Sequence, residues 1–178
     1  VNNVDKKTIS FFVGWIFGFG YFISNLYWIT NSLTFDVNFK FIIPFALILI
    51  PLFLGIFYGL VTFLCNFFNL KNKISSILIF SIFFGGIEFL RSFIFGGFPW
   101  NLVVFSLSDN LPSLQILSYI GTYSLNLLSI TIFLLPVIFF FKYKSLTKFL
   151  IFGLSLILVM INFLYGNLII KNFEKKKI

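Results

Sequence analysis

The stretch "ISSILIFSIFFGGIEFLRSFIF", Ile74 to Phe95, is oily enough to cross a membrane, and it leads directly into "GGFPWN", Gly96 to Asn101. Two charges, Glu88 and Arg91, sit inside it. A spanning helix needs roughly 20 apolar residues, and in bilayer hydrocarbon only helices or closed barrels satisfy their own backbone. This run is too long and too continuous for a barrel strand. It has four companions, so five runs emerge: residues 9–29, 41–68, 74–95, 114–141 and 149–170. The expected fold is all-α, a polytopic transmembrane helix bundle of about five spanning helices. The second and fourth runs exceed the minimum length and should tilt or kink, helped by Pro44 and Pro51 in one and Pro136 in the other.

Composition agrees. The chain is 60% hydrophobic and only 10% charged, which excludes a water-soluble domain of 178 residues. The 30 Phe accompany many Ile, Asn and Lys, as in an AT-rich coding sequence, and read as lipid-compatible bulk. The net charge of +8 comes from lysines lying singly or in short clusters between apolar runs. They are membrane-flanking anchors, and no nucleic-acid partner is expected. With no His and Cys65 as the one cysteine, neither an internal disulfide nor a His/Cys metal site can form, and no metal or cofactor is expected.

The first run follows Lys6 and Lys7 but carries Trp15, Tyr27 and Trp28 and has no small-x-small cleavage site, so it reads as a retained helix rather than a signal peptide. Its "GWIFG" (Gly14, Gly18) and the "GIFYG" of the second run (Gly55, Gly59) are small-xxx-small pairs that would let helix backbones approach closely.

Lysine placement orients the spans. With the amino terminus inside, inner segments hold Lys6 and Lys7, then Lys71 and Lys73, then Lys142, Lys144 and Lys148, whereas the outer loops hold only Lys40. The fifth span then delivers Lys171, Lys175, Lys176 and Lys177 to the outer side, against the rule. A large translocated domain following the tail would explain that placement, so the chain is expected to be part of a longer protein.

Glu88 and Arg91 share a helix face at i, i+3 and can pair. At ~1.5 Å per residue, Arg91 lies roughly 6 Å and Glu88 roughly 10 Å below the outer end of the run, and an ionisable residue inside a span costs ~2.5–3.5 kcal/mol on insertion scales. Such residues mark either a function or a partnered interior. Gly96 and Gly97 should end the helix and Pro99 should prevent its resumption, while Phe98 and Trp100 suit an interface. The apolar loop from Gly96 to Ser113 has to be covered by protein or line a cavity. An arginine beneath it could snorkel outward and hold a phosphate.

The string "EFLRSFIFGGFPWN", the following "LQILSYIGTYSLNLL" and the earlier "GFGYFISNLYWITNSL" together resemble the membrane region of bacterial apolipoprotein N-acyltransferase. The resemblance covers nearly the whole chain, and its Gly-Phe-Pro-Trp core is the specific part. It implies a multi-pass enzyme of the bacterial inner membrane. The reaction implied moves an acyl chain from a phospholipid donor to the amino-terminal diacylglyceryl-cysteine of a lipoprotein acceptor. It also implies that a Cys thioester, a Glu base and a Lys do the chemistry on a nitrilase-like outer domain not found in these residues. Cys65 has no base beside it in sequence and reads as a packing residue. No catalytic residue is therefore assigned here. Glu88, Arg91, Gly97, Phe98, Pro99, Trp100 and Asn101, with Trp28 from the first run, are the expected substrate-binding residues. The competing reading is a small multi-pass transporter or assembly subunit with Glu88 and Arg91 lining its path.

Overall fold

The computed structural model describes residues 3–68, 73–94, 96 and 101–175. Among them every regular element is helical: α1 (Asn3–Leu26), α2 (Ile43–Phe67), α3 (Ile74–Ile94), α4 (Leu111–Leu114), α5 (Leu117–Ile120), α6 (Thr122–Leu134) and α7 (Ser145–Lys175), joined in places by 3-10 segments. Among the described residues, five stretches are long and apolar enough to cross a membrane: Lys6–Thr34, Val37–Phe67, Ile74–Ile94, Thr122–Phe140 and Ser145–Phe173. The protein is a multi-pass membrane protein.

The chain forms two compact units, one from residues 1–70 and 86–101 and the other from 71–85 and 102–178. The division falls within α3, between Gly85 and Gly86.

In the first unit α1 and α2 form an antiparallel hairpin whose seam is built on the paired glycines. A methyl placed on Gly18 would lie 2.9 Å from the Cα of Gly55, and one on Gly55 would lie 3.0 Å from the backbone nitrogen of Phe19. Only hydrogen at these positions permits the approach. Polar groups finish the seam. Ser10 Oγ donates to the Thr62 carbonyl at 2.8 Å, Thr62 Oγ1 donates back to the Ser10 carbonyl at 2.7 Å, and Trp15 Nε1 donates to the Leu52 carbonyl at 2.8 Å. Pro44 falls in the first turn of α2, where a missing N–H costs nothing, while Pro51 is interior and buried.

Among the described residues, the second unit has two apolar clusters. Ile77, Ile138 and Phe141 form one, joined by Ile74, Leu134, Tyr143 and Ile151. Leu102, Val104 and Leu125 form the other. The fourth run, expected as one span over 114–141, is divided here. Gly121 has φ 77 and ψ 165, a conformation essentially reserved for glycine, and it separates α5 from α6. Beyond α6 the chain tightens into a 3-10 segment, Leu135–Phe140, with Pro136 in its first turn. Leu135 N–H bonds the Ile132 carbonyl, three residues back. The length that suggested tilt is thus partly spent on the short helix α5.

Candidate functional site

The first unit encloses a group of charges and aromatics contributed by α1, α2 and the second half of α3. Spacing along α3 brings Glu88 and Arg91 one turn apart, with Arg91 Nη2 3.8 Å from Glu88 Oε1. Both are sealed, Glu88 at 0% and Arg91 at 1% exposure. At 3.8 Å the pair is electrostatic rather than a short hydrogen bond. The close partner of that carboxylate oxygen is Tyr58 of α2, whose hydroxyl donates to it at 3.0 Å. The Arg91 guanidinium carbon stands 4.9 Å from the centre of the Phe22 ring on α1, within cation–π range. Tyr58 in turn packs against Phe22 and Tyr21, ring centres 5.1 and 5.5 Å apart.

Desolvating two charges costs several kcal/mol per ion, and mutual attraction offsets that cost only when further polar contacts complete the shell. Tyr58 supplies one hydrogen bond to the carboxylate, and the Phe22 face supplies a cation–π contact to the guanidinium. The anchored arginine differs from the expectation of an outward-reaching side chain: it lies over Phe22, with its charge directed into the helices. A transport path lined by this pair finds no support in side chains so enclosed.

The group extends toward the loop through α1. Tyr21 donates its hydroxyl to the Asn101 carbonyl at 3.2 Å, across 80 residues of sequence. Gly96, with φ 76, takes the left-handed conformation that commonly follows a helix end, two residues past the last residue of α3. Asn101 is also left-handed, at φ 50. Of the sequence-predicted site residues, the structure brings Glu88 and Arg91 together directly and connects Asn101 to the Tyr21 beside them. Trp28 is on the 3-10 segment Tyr27–Thr34 and is 54% exposed, in contrast with the sealed cluster. Gly97, Phe98, Pro99 and Trp100 lie outside the described residues.

Sequence reasoning missed Tyr58, Phe22 and Tyr21. The signal for Tyr58 was present: a hydroxyl in the interior of the second run, within "GIFYG", requires a partner in a lipid-facing or helix-facing site. Phe22 carried no such signal, because one Phe among 30 does not announce a cation partner. Cys65, expected as a packing residue, is buried near the end of α2.

Comparison with known proteins places this architecture. The family model described as the apolipoprotein N-acyltransferase N-terminal domain matches residues 2–135. A protein of Rhizobium rhizogenes named apolipoprotein N-acyltransferase is 31% identical over 158 residues, covering 88% of this chain and 29% of the relative. Proteins of the same name from Brucella melitensis and Rhizobium etli are each 36% identical, covering 70% and 73% of this chain and 23% and 24% of the relatives. The chain thus spans about a quarter of the length of the curated relatives it matches. No solved structure matches. The family model reaches from α1 through α6 and takes in the Glu88–Arg91 pair and the loop after it, and on this ground the chain belongs to the apolipoprotein N-acyltransferase N-terminal domain family.

Proposed function

We propose that this chain is the membrane part of an enzyme of the bacterial inner membrane that transfers an acyl chain from a phospholipid to the amino-terminal diacylglyceryl-cysteine of lipoproteins. The observation that carries the reading is the family match over residues 2–135, which contains the Gly-Phe-Pro-Trp stretch. Acyl transfer through a thioester needs a nucleophile beside a base. The lone Cys65 is enclosed in α2 and is not such a pair, so the chemistry is assigned to residues outside these 178.

The role left to the chain is to bind and orient lipid. Glu88 and Arg91 brace the floor of the outer loop through Tyr58 and Phe22 rather than offering the guanidinium at a surface. Gly97, Phe98, Pro99, Trp100 and Asn101 are the residues assigned to meet substrate, with Trp28 at the outer interface. Lysine placement supports an inner amino terminus and an outer loop.

The test is a chimera in which this chain replaces the matched segment of the Brucella melitensis relative. Reconstituted with phospholipid and a diacylglyceryl peptide, it should give triacylated product, and the chain alone should give none. A folded chimera that leaves the peptide unmodified would count against the reading. So would product formed by the isolated chain in a Cys65-dependent manner.

A further inference from the structure

Three features converge on Asn101. Its backbone holds φ 50, and it is the one non-glycine residue with positive φ among the described residues. Asn tolerates that region better than most side chains, yet uncommon backbone conformations persist only where their surroundings enforce them, and they gather at functional sites. The enforcement is visible: Tyr21 holds the Asn101 carbonyl at 3.2 Å, and Tyr21 itself rests on Tyr58, the hydrogen-bond partner of Glu88. The carboxamide nitrogen is the third feature. It is enclosed and has no hydrogen-bond partner.

A carboxamide nitrogen carries two donor hydrogens. Leaving such a donor buried and unmatched costs as much as a lost hydrogen bond, and buried polar groups in folded proteins are nearly always matched. The nitrogen is covered within this chain, whereas Asn101 as a whole is only partly buried, so the residue stands at the edge of the packed helices. An acceptor delivered to such a place must arrive attached to something compatible with apolar surroundings, and a lipid does this, carrying ester and phosphate oxygens on hydrocarbon chains. We infer that Asn101 Nδ2 donates to an acceptor oxygen of the lipid substrate, phosphate or ester carbonyl, and that Tyr21 is the positioning residue that holds the Asn101 peptide for it. The inference rests on the lipid-binding reading above and names the group that contacts the lipid.

The test uses the purified chain in detergent, with dissociation constants measured by native mass spectrometry for phosphatidylglycerol and for a diacylglycerol of the same acyl chains. Asn101→Gly retains access to φ 50 and removes the donor, and should weaken phosphatidylglycerol binding about tenfold, equivalent to ~1.4 kcal/mol. Asn101→Asp, which turns the donor into an acceptor with charge, should weaken it at least as much. Tyr21→Phe should weaken it about threefold with unfolding temperature little changed, since a neutral hydrogen bond of this kind contributes little to stability. If the acceptor is phosphate, diacylglycerol binds more weakly than phosphatidylglycerol and is indifferent to Asn101→Gly; if it is an ester carbonyl, that variant weakens both lipids alike. A folded Asn101→Gly protein that binds phosphatidylglycerol as the wild type does overturns the inference and leaves the broader reading standing. Wild-type protein that binds neither lipid above an unrelated five-span control overturns both. Should Asn101→Gly not fold, Tyr21→Phe carries the test, and a wild-type constant there counts against the inference.

Discussion

The α1–α2 seam and α7 show opposite uses of an apolar helix. The spanning window of α7 is more hydrophobic than that of α1, yet 6% of it is buried against 22% for α1. In water the ranking would be the reverse, because burial follows apolarity. In lipid the hydrocarbon solvates Leu as well as a neighbouring helix does, so apolarity gives no reason to pack. Small residues and polar exchanges decide instead. The seam has Gly18 against Gly55 and the reciprocal Ser10–Thr62 bonds. Where α7 does make a close approach, the same devices recur: Gly166 lies against the Pro112 carbonyl, and Asn162 Nδ2 donates to the Ser113 carbonyl at 3.0 Å.

The largest effect expected is at the buried pair that ties α3 to the seam. Removing one partner leaves an uncompensated buried charge, so Arg91→Ala should lower unfolding free energy by about 3–5 kcal/mol in a denaturant titration in detergent. The double change Glu88→Met with Arg91→Met should return most of that loss, because volume is kept and neither charge remains. Stability alone does not separate bracing from lipid handling. In an active chimera the double variant should regain folding but keep a raised KM for phospholipid; full recovery of both would make the pair purely a packing device.

Next comes the seam itself. Gly18→Leu drives a side chain into the Gly55 backbone, which has no flexible atom to give way, and should cost about 1–3 kcal/mol or more. Gly20→Leu, two residues away where an added Cβ meets nothing within 4 Å, is the matched control and should cost far less. Equal losses at the two positions would break the claim that small residues direct the packing.

How much of this was legible beforehand differs by residue. Five spans followed from run length alone, since backbone satisfaction in lipid leaves few alternatives. The glycine pairs were visible as spacing, but spacing gives no partner, and only the structure matched Gly18 to Gly55. The division of the fourth run at Gly121 was not legible, because this residue looks like any glycine until its φ is known. At the site, the i, i+3 rule gave the Glu88–Arg91 pair. Tyr58 and Phe22 complete it from distant helices, 30 and 69 residues from the charge each one contacts, and no local pattern encodes such partnerships.

A smaller loss should follow Asn162→Leu on α7. It removes the bond to the Ser113 carbonyl, and interhelical hydrogen bonds in membranes average about 0.6 kcal/mol, so the variant should unfold only slightly more easily than wild type. A loss of several kcal/mol would mean that α7 is anchored far more firmly than its exposed surface indicates.

The smallest effect is expected at Leu158, in the middle of α7 and 67% exposed. A leucine buried in a protein core loses about 2–5 kcal/mol on truncation to alanine, partly through the cavity left behind. No cavity can form where lipid fills the space, and Leu158→Ala should therefore change unfolding free energy by less than about 0.5 kcal/mol, the range of uncoupled surface changes. The measurement is the same denaturant titration, repeated with bromine-labelled phospholipid and a Trp introduced at position 158. Strong quenching of that Trp with unchanged stability places this face of α7 against lipid. A loss above 1 kcal/mol with weak quenching would show instead that a second protein surface covers α7, and the contrast with the seam would then be one of different partners rather than of different solvents.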